Sequence, residues 1–322
     1  MKVSHSLATI TLVLGIGSIV GCNAPNPNTN ASDDETLDVT VSIAPQKYFV
    51  EKIGGDNVEV SVMVEPGESP HTYEPKPDRL RALSDAEAYI QIGIDFEKAW
   101  MDRIQSANPE MLAIDSTEGI EKISIGEHHH EEHHDDETEE EHSHEEHHDD
   151  ETEEKHHHDG EMLDPHVWLS PELVKVQAQN IHNALVQLDP ENQDEYDANL
   201  AAFVRELDEL DAQIRQNLAN LENRKFLVFH PSWGYFARDY DLQQISIEVG
   251  GQEPSASELA QIITEAQADN IKVVFAQPEF SPRSAEFIAR EIDGEVLLIT
   301  PLAPDWSDNL LKVSQTFADV LR

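Results

Sequence analysis

The chain has 322 residues, a length that fits about two domains, and 65 acidic against 21 basic residues give it a formal net charge of -44. A negative charge of that size excludes electrostatic attachment to nucleic acid or to anionic lipid, which it would repel, and favours a cation as partner. The single cysteine, Cys22, excludes an intramolecular disulfide.

Lys2 and the apolar run Leu7 to Val20 have the charge and length of a signal peptide, and are too short for a membrane span of about 20 apolar residues. The run ends in Ile19-Val20-Gly21-Cys22, which resembles the lipobox of bacterial lipoproteins. That resemblance implies export, removal of residues 1–21, and a membrane anchor through lipidated Cys22. Residues 22–37 are polar and lack apolar periodicity, the signature of a flexible tether. From Asp38 the pattern changes. Val39, Val41 and Ile43 alternate as a strand, Tyr48 to Ile53 read as a short helix, and Val58, Val60, Val62 and Val64 alternate again. Ala88 to Ile92 and Met111 to Ile114 follow as strands, separated by helical segments around Arg79 to Leu83 and Trp100 to Ile104.

Residues 127–161 are almost wholly His, Glu and Asp, and hold 12 of the 17 histidines. The ten residues Glu131 to Glu140 recur as Glu145 to Glu154. Such a segment has too little apolar surface to offset the entropy of ordering, so it is expected to be a disordered loop that associates loosely with divalent metal. Leu173 to Leu188 then reads as a helix. From Glu191 to Asn220, Tyr196, Leu200, Phe203, Leu207, Leu210, Ile214 and Leu218 recur at intervals of three or four, without glycine or proline, behind Asp189-Pro190. A helix of about 30 residues is roughly 45 Å long, which predicts a connector between two lobes. Strands at Phe226 to Phe229, Ile245 to Val249, Val273 to Ala276 and Val296 to Ile299 follow, with helices at Ser255 to Ala268, Pro282 to Ile292 and Asn309 to Leu321. Strand-helix alternation on both sides predicts two α/β lobes with mainly parallel sheets joined by one long α-helix: residues 38–188, the helix 189–221, and residues 222–322.

Outside the His-rich loop five histidines remain. His5 lies in the signal segment, and His182 sits inside a helical run, where a packing or surface role is expected. His71, His166 and His230 lie in turn-rich loops, two of them beyond strands, where ligands bind in parallel α/β sheets. Their motifs are His71-Thr72-Tyr73-Glu74-Pro75, Asp164-Pro165-His166-Val167-Trp168-Leu169-Ser170-Pro171, and Phe229-His230-Pro231-Ser232-Trp233-Gly234-Tyr235-Phe236. In this order, with the acidic His-rich loop between the first two, they resemble the zinc-binding lipoproteins of ABC uptake transporters, the ZnuA type. The resemblance covers Asp38 to Arg322. It implies a zinc site in the cleft between the lobes with His71, His166 and His230 as ligands, Zn2+ as a transported ligand, an ABC permease as partner, a monomeric and periplasmic protein, and no catalytic residues.

The resemblance breaks at the fourth ligand. Related proteins carry an Asp before a Pro-Leu or similar pair near the C-terminus, whereas Thr300 precedes Pro301-Leu302 here, and threonine is a poor zinc ligand. Asp305 is the candidate named for that place, with Glu68, Glu74 or a water as alternatives. Three imidazoles favour zinc over manganese or magnesium, although copper and nickel compete for such donors. Two rival functions fit the same residues in part. A lipid-anchored zinc hydrolase or lyase would use the three-histidine site with a zinc-bound water, and a surface metal buffer or adhesin would need only the loop.

Overall fold

A computed structural model of the chain describes residues 36–125, 163–248, 251–281 and 283–322. The signal peptide, the lipobox and the His-rich loop lie outside the described residues. Leu37, expected in the tether, is instead the first residue of strand β1 (Leu37–Ile43).

The first half runs β1, α1 (Ala44–Gly54), β2 (Val58–Val64), α2 (Pro77–Ala82), β3 (Ala88–Gln91), α3 (Asp95–Ala107) and β4 (Leu112–Asp115). The second runs β5 (Lys225–Val228), α6 (Gly234–Asp239), β6 (Gln243–Ser246), α7 (Ala256–Ala268), β7 (Val273–Ala276), α8 (Arg283–Glu291), β8 (Glu295–Leu298) and α9 (Trp306–Val320), with α4 (Pro171–Leu188) and α5 (Gln193–Asn217) between the halves. Each half has a sheet of four parallel strands, in the orders β2-β1-β3-β4 and β6-β5-β7-β8. Parallel neighbours need a crossover, and the helices that supply it cover the faces of the sheets. For that reason Thr40 and Ser42 are buried along with Val39, Val41 and Ile43, although their alternation reads as a strand with one wet face.

Strand β6 begins at Gln243, two residues earlier than its apolar pattern implies, because an edge strand is selected by backbone pairing; Lys225 to Val228 pair with Gln243 to Ser246. Helix α6 has no counterpart in the expected elements. Its six residues are too few for a periodic signal, and they continue a loop that reads as one motif.

The long helix is shorter than its apolar spacing suggests. A 3₁₀ turn, Pro190–Asn192, leads into the 25 residues of α5. Asp189 fixes the turn by accepting hydrogen bonds from Asn192 (2.7 Å) and from the Tyr196 hydroxyl (2.6 Å). Tyr196, Phe203, Leu207, Leu210 and Ile214 are buried on one face, and they pack into a core that runs without a break from Val39 and Phe49 through α5 to Phe226, Trp306 and Phe317. Phe49 meets Trp306 edge to face at 5.0 Å and Phe203 at 6.0 Å. A smaller core, including Leu227, Ile247, Val274 and Ile288, lies on the other face of the second sheet. The halves are thus joined by shared packing as well as by a helix. Two reciprocal hydrogen bonds add to this: the Trp168 indole donates to the Pro301 carbonyl and the Trp306 indole to the Trp168 carbonyl, each at 2.7 Å. Among the described residues no helix is long and apolar enough to cross a membrane.

Candidate metal centre

The two sheets turn the carboxyl ends of several strands toward one site. Past β2 the chain turns at Glu65 to Glu68, where the Glu68 N–H donates to the Glu65 carbonyl at 3.0 Å. Gly67 takes φ +87°, a left-handed conformation that glycine adopts at little cost. Arg79 pairs with Glu65, and Lys76 with Glu68 at 3.1 Å, so the loop carrying His71 is pinned at both ends. His71 is the more open of the three histidines, and its Nδ1 lies 3.1 Å from Asp95 Oδ2.

His166 is buried, at 4 % exposure, as is Asp164 at 2 %. One oxygen of Asp164 accepts both the His166 backbone N–H (2.9 Å) and His166 Nδ1 (2.7 Å), which fixes the ring without help from any strand. The Tyr235 hydroxyl donates to the Asp164 carbonyl at 2.9 Å. Helix α6 begins so close that a Cβ on Gly234 would stand 2.7 Å from Asp164 Oδ2. Only glycine fits there without displacement.

His230 lies two residues beyond β5. Gln277, at the end of β7, accepts from its backbone N–H at 3.2 Å and donates to its carbonyl at 2.7 Å. Its Nδ1 lies 2.5 Å from Glu248 Oε2, two residues beyond β6, and its ring stacks on Phe280 with centroids 4.8 Å apart. The carboxylates leave one tautomer for each ring. A carboxylate accepts, so Nδ1 carries the proton in all three histidines and each Nε2 presents a lone pair.

These lone pairs converge. The Nε2 atoms of His71 and His230 are 3.1 Å apart, and His71, His166 and His230 each offer a donor atom within 4.8 Å of the others. With both Nδ1 atoms protonated, nothing lies between the first two to donate, so a cation suits the gap. Two nitrogens on a tetrahedral zinc at about 2.0 to 2.1 Å stand about 3.3 Å apart, close to the separation observed. The cavity they line has a volume of about 20 Å³, room for an ion or a water. Burial pushes His71 and His230 below the ordinary imidazole pKa, and repulsion from His230 and His166 respectively adds to it, against the pull of Asp95 and Glu248. Both rings are therefore neutral, and fit to ligate, at neutral pH.

The other candidates lie elsewhere. Asp305 is exposed at the start of α9, on a separate cleft bounded by Pro66, Thr300 and Asp308, and is outside the group of converging donors. Glu68 is held by Lys76 and by the Glu65 N–H, and Glu74 is exposed and also outside the group. Thr300 is occupied, its hydroxyl donating to Glu279 Oε1 at 3.2 Å and accepting from the Leu302 N–H at 3.1 Å. His182 is buried in α4 with Nε2 2.7 Å from Asp197, a packing histidine as its helical context implies.

Sequence reasoning did not single out the carboxylates Asp95, Asp164 and Glu248. Asp164 lies in the His166 motif, two residues before that histidine; the other two carry no local signal. Glu279 was also missed. It lies in the loop after β7, lines the same cavity as the three histidines, and burial pushes its carboxyl above the ordinary range.

Known proteins place these features in a family. The family model described as ZnuA, zinc-uptake complex component A, periplasmic, matches residues 39–322. The high-affinity zinc uptake system protein ZnuA of Bacillus subtilis (strain 168) is 29% identical over 284 residues, which cover 86% of this chain and 83% of that protein. A crystal structure of ZnuA is 48% identical, covers 89% of this chain and 100% of its own, and superposes with a TM-score of 0.77. A ZnuA deletion mutant with zinc bound is also 48% identical, with coverage of 89% and 98% and a TM-score of 0.76. With a match that runs from the third residue of β1 to the last residue, the chain belongs to the ZnuA family of periplasmic zinc-uptake components.

Proposed function

We propose that this protein captures one Zn2+ ion outside the cytoplasmic membrane and delivers it to the permease of an ABC importer, with His71, His166 and His230 as ligands through Nε2. The observation that carries the reading is the convergence of three imidazole lone pairs, each ring locked by a carboxylate on its other nitrogen. Neutral nitrogen donors suit a borderline divalent metal, and carboxylates behind them raise their basicity and offset the charge of the ion. The relatives named for zinc uptake, and the zinc-bound structure of a similar chain, support zinc as the cargo.

We read the centre as a binding site: the chain belongs to a family of zinc-uptake components, and Asp95, Asp164 and Glu248 are each engaged by a ring nitrogen, where they orient the ligands. Anchoring through lipidated Cys22, action as a monomer, and loose zinc association by residues 127–161 belong to the same proposal and rest on the sequence. Competition against a chelator of known zinc affinity tests it. His71→Ala, His166→Ala and His230→Ala are each expected to weaken tight binding at least tenfold, since each removes a direct ligand. Unchanged affinity in all three would refute the assignment.

A further inference from the structure

Three histidines leave a tetrahedral ion one donor short, and the structure holds a group suited to the remaining place. Glu279 lines the cavity around the three histidines, and its Oε2 is buried without a hydrogen-bond partner. Leaving a carboxylate oxygen buried and unpaired costs stability. An oxygen left without a partner in the fold points to a ligand there. The other oxygen accepts from the Thr300 hydroxyl at 3.2 Å, and Thr300 is itself held by the Leu302 N–H, so the carboxyl group is oriented and not merely enclosed. Charge argues the same way. Asp95, Asp164 and Glu248 offset the charge of the ion only through the rings, whereas a carboxylate on the metal does so directly, beside the apolar walls of Ile94, Trp168, Phe280 and Leu302.

We propose that Glu279 supplies the fourth donor to the ion, through Oε2. This rests on the zinc-binding reading of the three histidines. The Glu279 carboxylate stands outside the group whose donors lie within 4.8 Å of one another, so ligation requires its flexible side chain to rotate toward the ion. Glu279 also borders the outer cleft that holds Asp305 and Asp308, so the residue lies between solvent-facing acids and the cavity of the three imidazoles.

Glu279→Gln keeps the shape and removes the charge. Chelator competition should show zinc affinity lowered at least tenfold, and the visible absorption of the Co2+-loaded protein should change in intensity and position as a carboxylate leaves the metal. Thermal unfolding without metal should be unchanged or shifted upward, because an unpaired buried carboxylate is gone; a residue with a purely structural role would show the reverse pattern. Zinc affinity within twofold of the parent with an identical Co2+ spectrum, while His230→Ala still loses tight binding, would overturn the assignment of Glu279 and leave the zinc reading intact. Parent-like affinity in all three histidine variants would instead remove the reading on which it rests. If the variant fails to fold, the zinc-bound crystal structure of the unaltered chain decides: a Glu279 oxygen at about 2.0 to 2.2 Å from the ion supports the proposal, and one beyond about 3 Å overturns it.

Discussion

A substitution that touches none of the proposed ligands gives a searching test of how the site is held. In Gly234→Ala the new Cβ would stand 2.7 Å from Asp164 Oδ2 and 3.3 Å from Ile123 Cδ1. Ordinary contact begins near 3.4 Å, so the carboxylate has to retreat by about 0.7 Å or α6 has to move away. Asp164 Oδ1 holds both the backbone and the ring of His166, at 2.9 and 2.7 Å. A shift of about 0.7 Å carries the ring contact to the outer limit of a hydrogen bond and frees His166 to rotate away from His230. Overpacking of this kind costs about 1 to 3 kcal/mol, set against a gain of up to about 1 kcal/mol in helix propensity at the first residue of α6. The fold should therefore lose about 0 to 3 kcal/mol, while zinc affinity falls about 10- to 100-fold, as for loss of a partner behind a ligand. Chelator competition and thermal melts with and without zinc read both effects. Parent-like zinc affinity in the variant would show that Asp164 does not orient His166, and would refute the argument.

Acidification should abolish zinc binding, and the pKa directions place the loss. Burial lowers His71 and His230 below the ordinary value of about 6.5, so binding should persist somewhat under that value and fail as pH falls further; affinity unchanged between pH 7.5 and pH 5 would contradict this. The same shifts bear on the metal-free fold. A histidine that takes up protons more readily when unfolded makes stability fall as pH drops below about 6.5, so the unfolding midpoint without metal should decrease from pH 7 to pH 5. Deleting residues 127–161 should leave a folded protein with one tight site and fewer weakly bound zinc ions, and should slow zinc association mainly at low salt. The flanks of that segment are already paired, Ser124 bridging Leu163 and the Asp164 N–H donating to the Ile123 carbonyl at 2.8 Å. Calorimetry and stopped-flow titration would check this, and loss of the tight site would place the segment inside it.

How much of this was legible beforehand differs by element. The fold class, the parallel sheets and the order of elements were legible, because apolar spacing and strand-helix alternation are local properties that follow from the geometry of helix and strand. His71, His166 and His230 stood out for a similar reason, each lying in a turn-rich loop at a place where such folds bind ligands. Strand β6, with Gln243 and Gln244 in it, was misplaced because pairing to Lys225 and Phe226 decides its register, and that information sits elsewhere in the chain. The reading of α5 as a connector missed the unbroken core beneath it, which depends on Phe49, Phe203 and Trp306 meeting across long separations in sequence.

The candidate site divides in the same way. The amino-acid order determined which imidazoles were available, and the excess of acids determined the sign of the partner. Only the tertiary structure decided that Asp95 stands behind His71 and Glu248 behind His230, that Asp305 faces a different cleft, and that Glu279 lines the cavity with an unpaired oxygen. A carboxylate looks the same in sequence whether it faces water or a buried ring. Its role is set by burial and by the partner that another part of the chain brings to it.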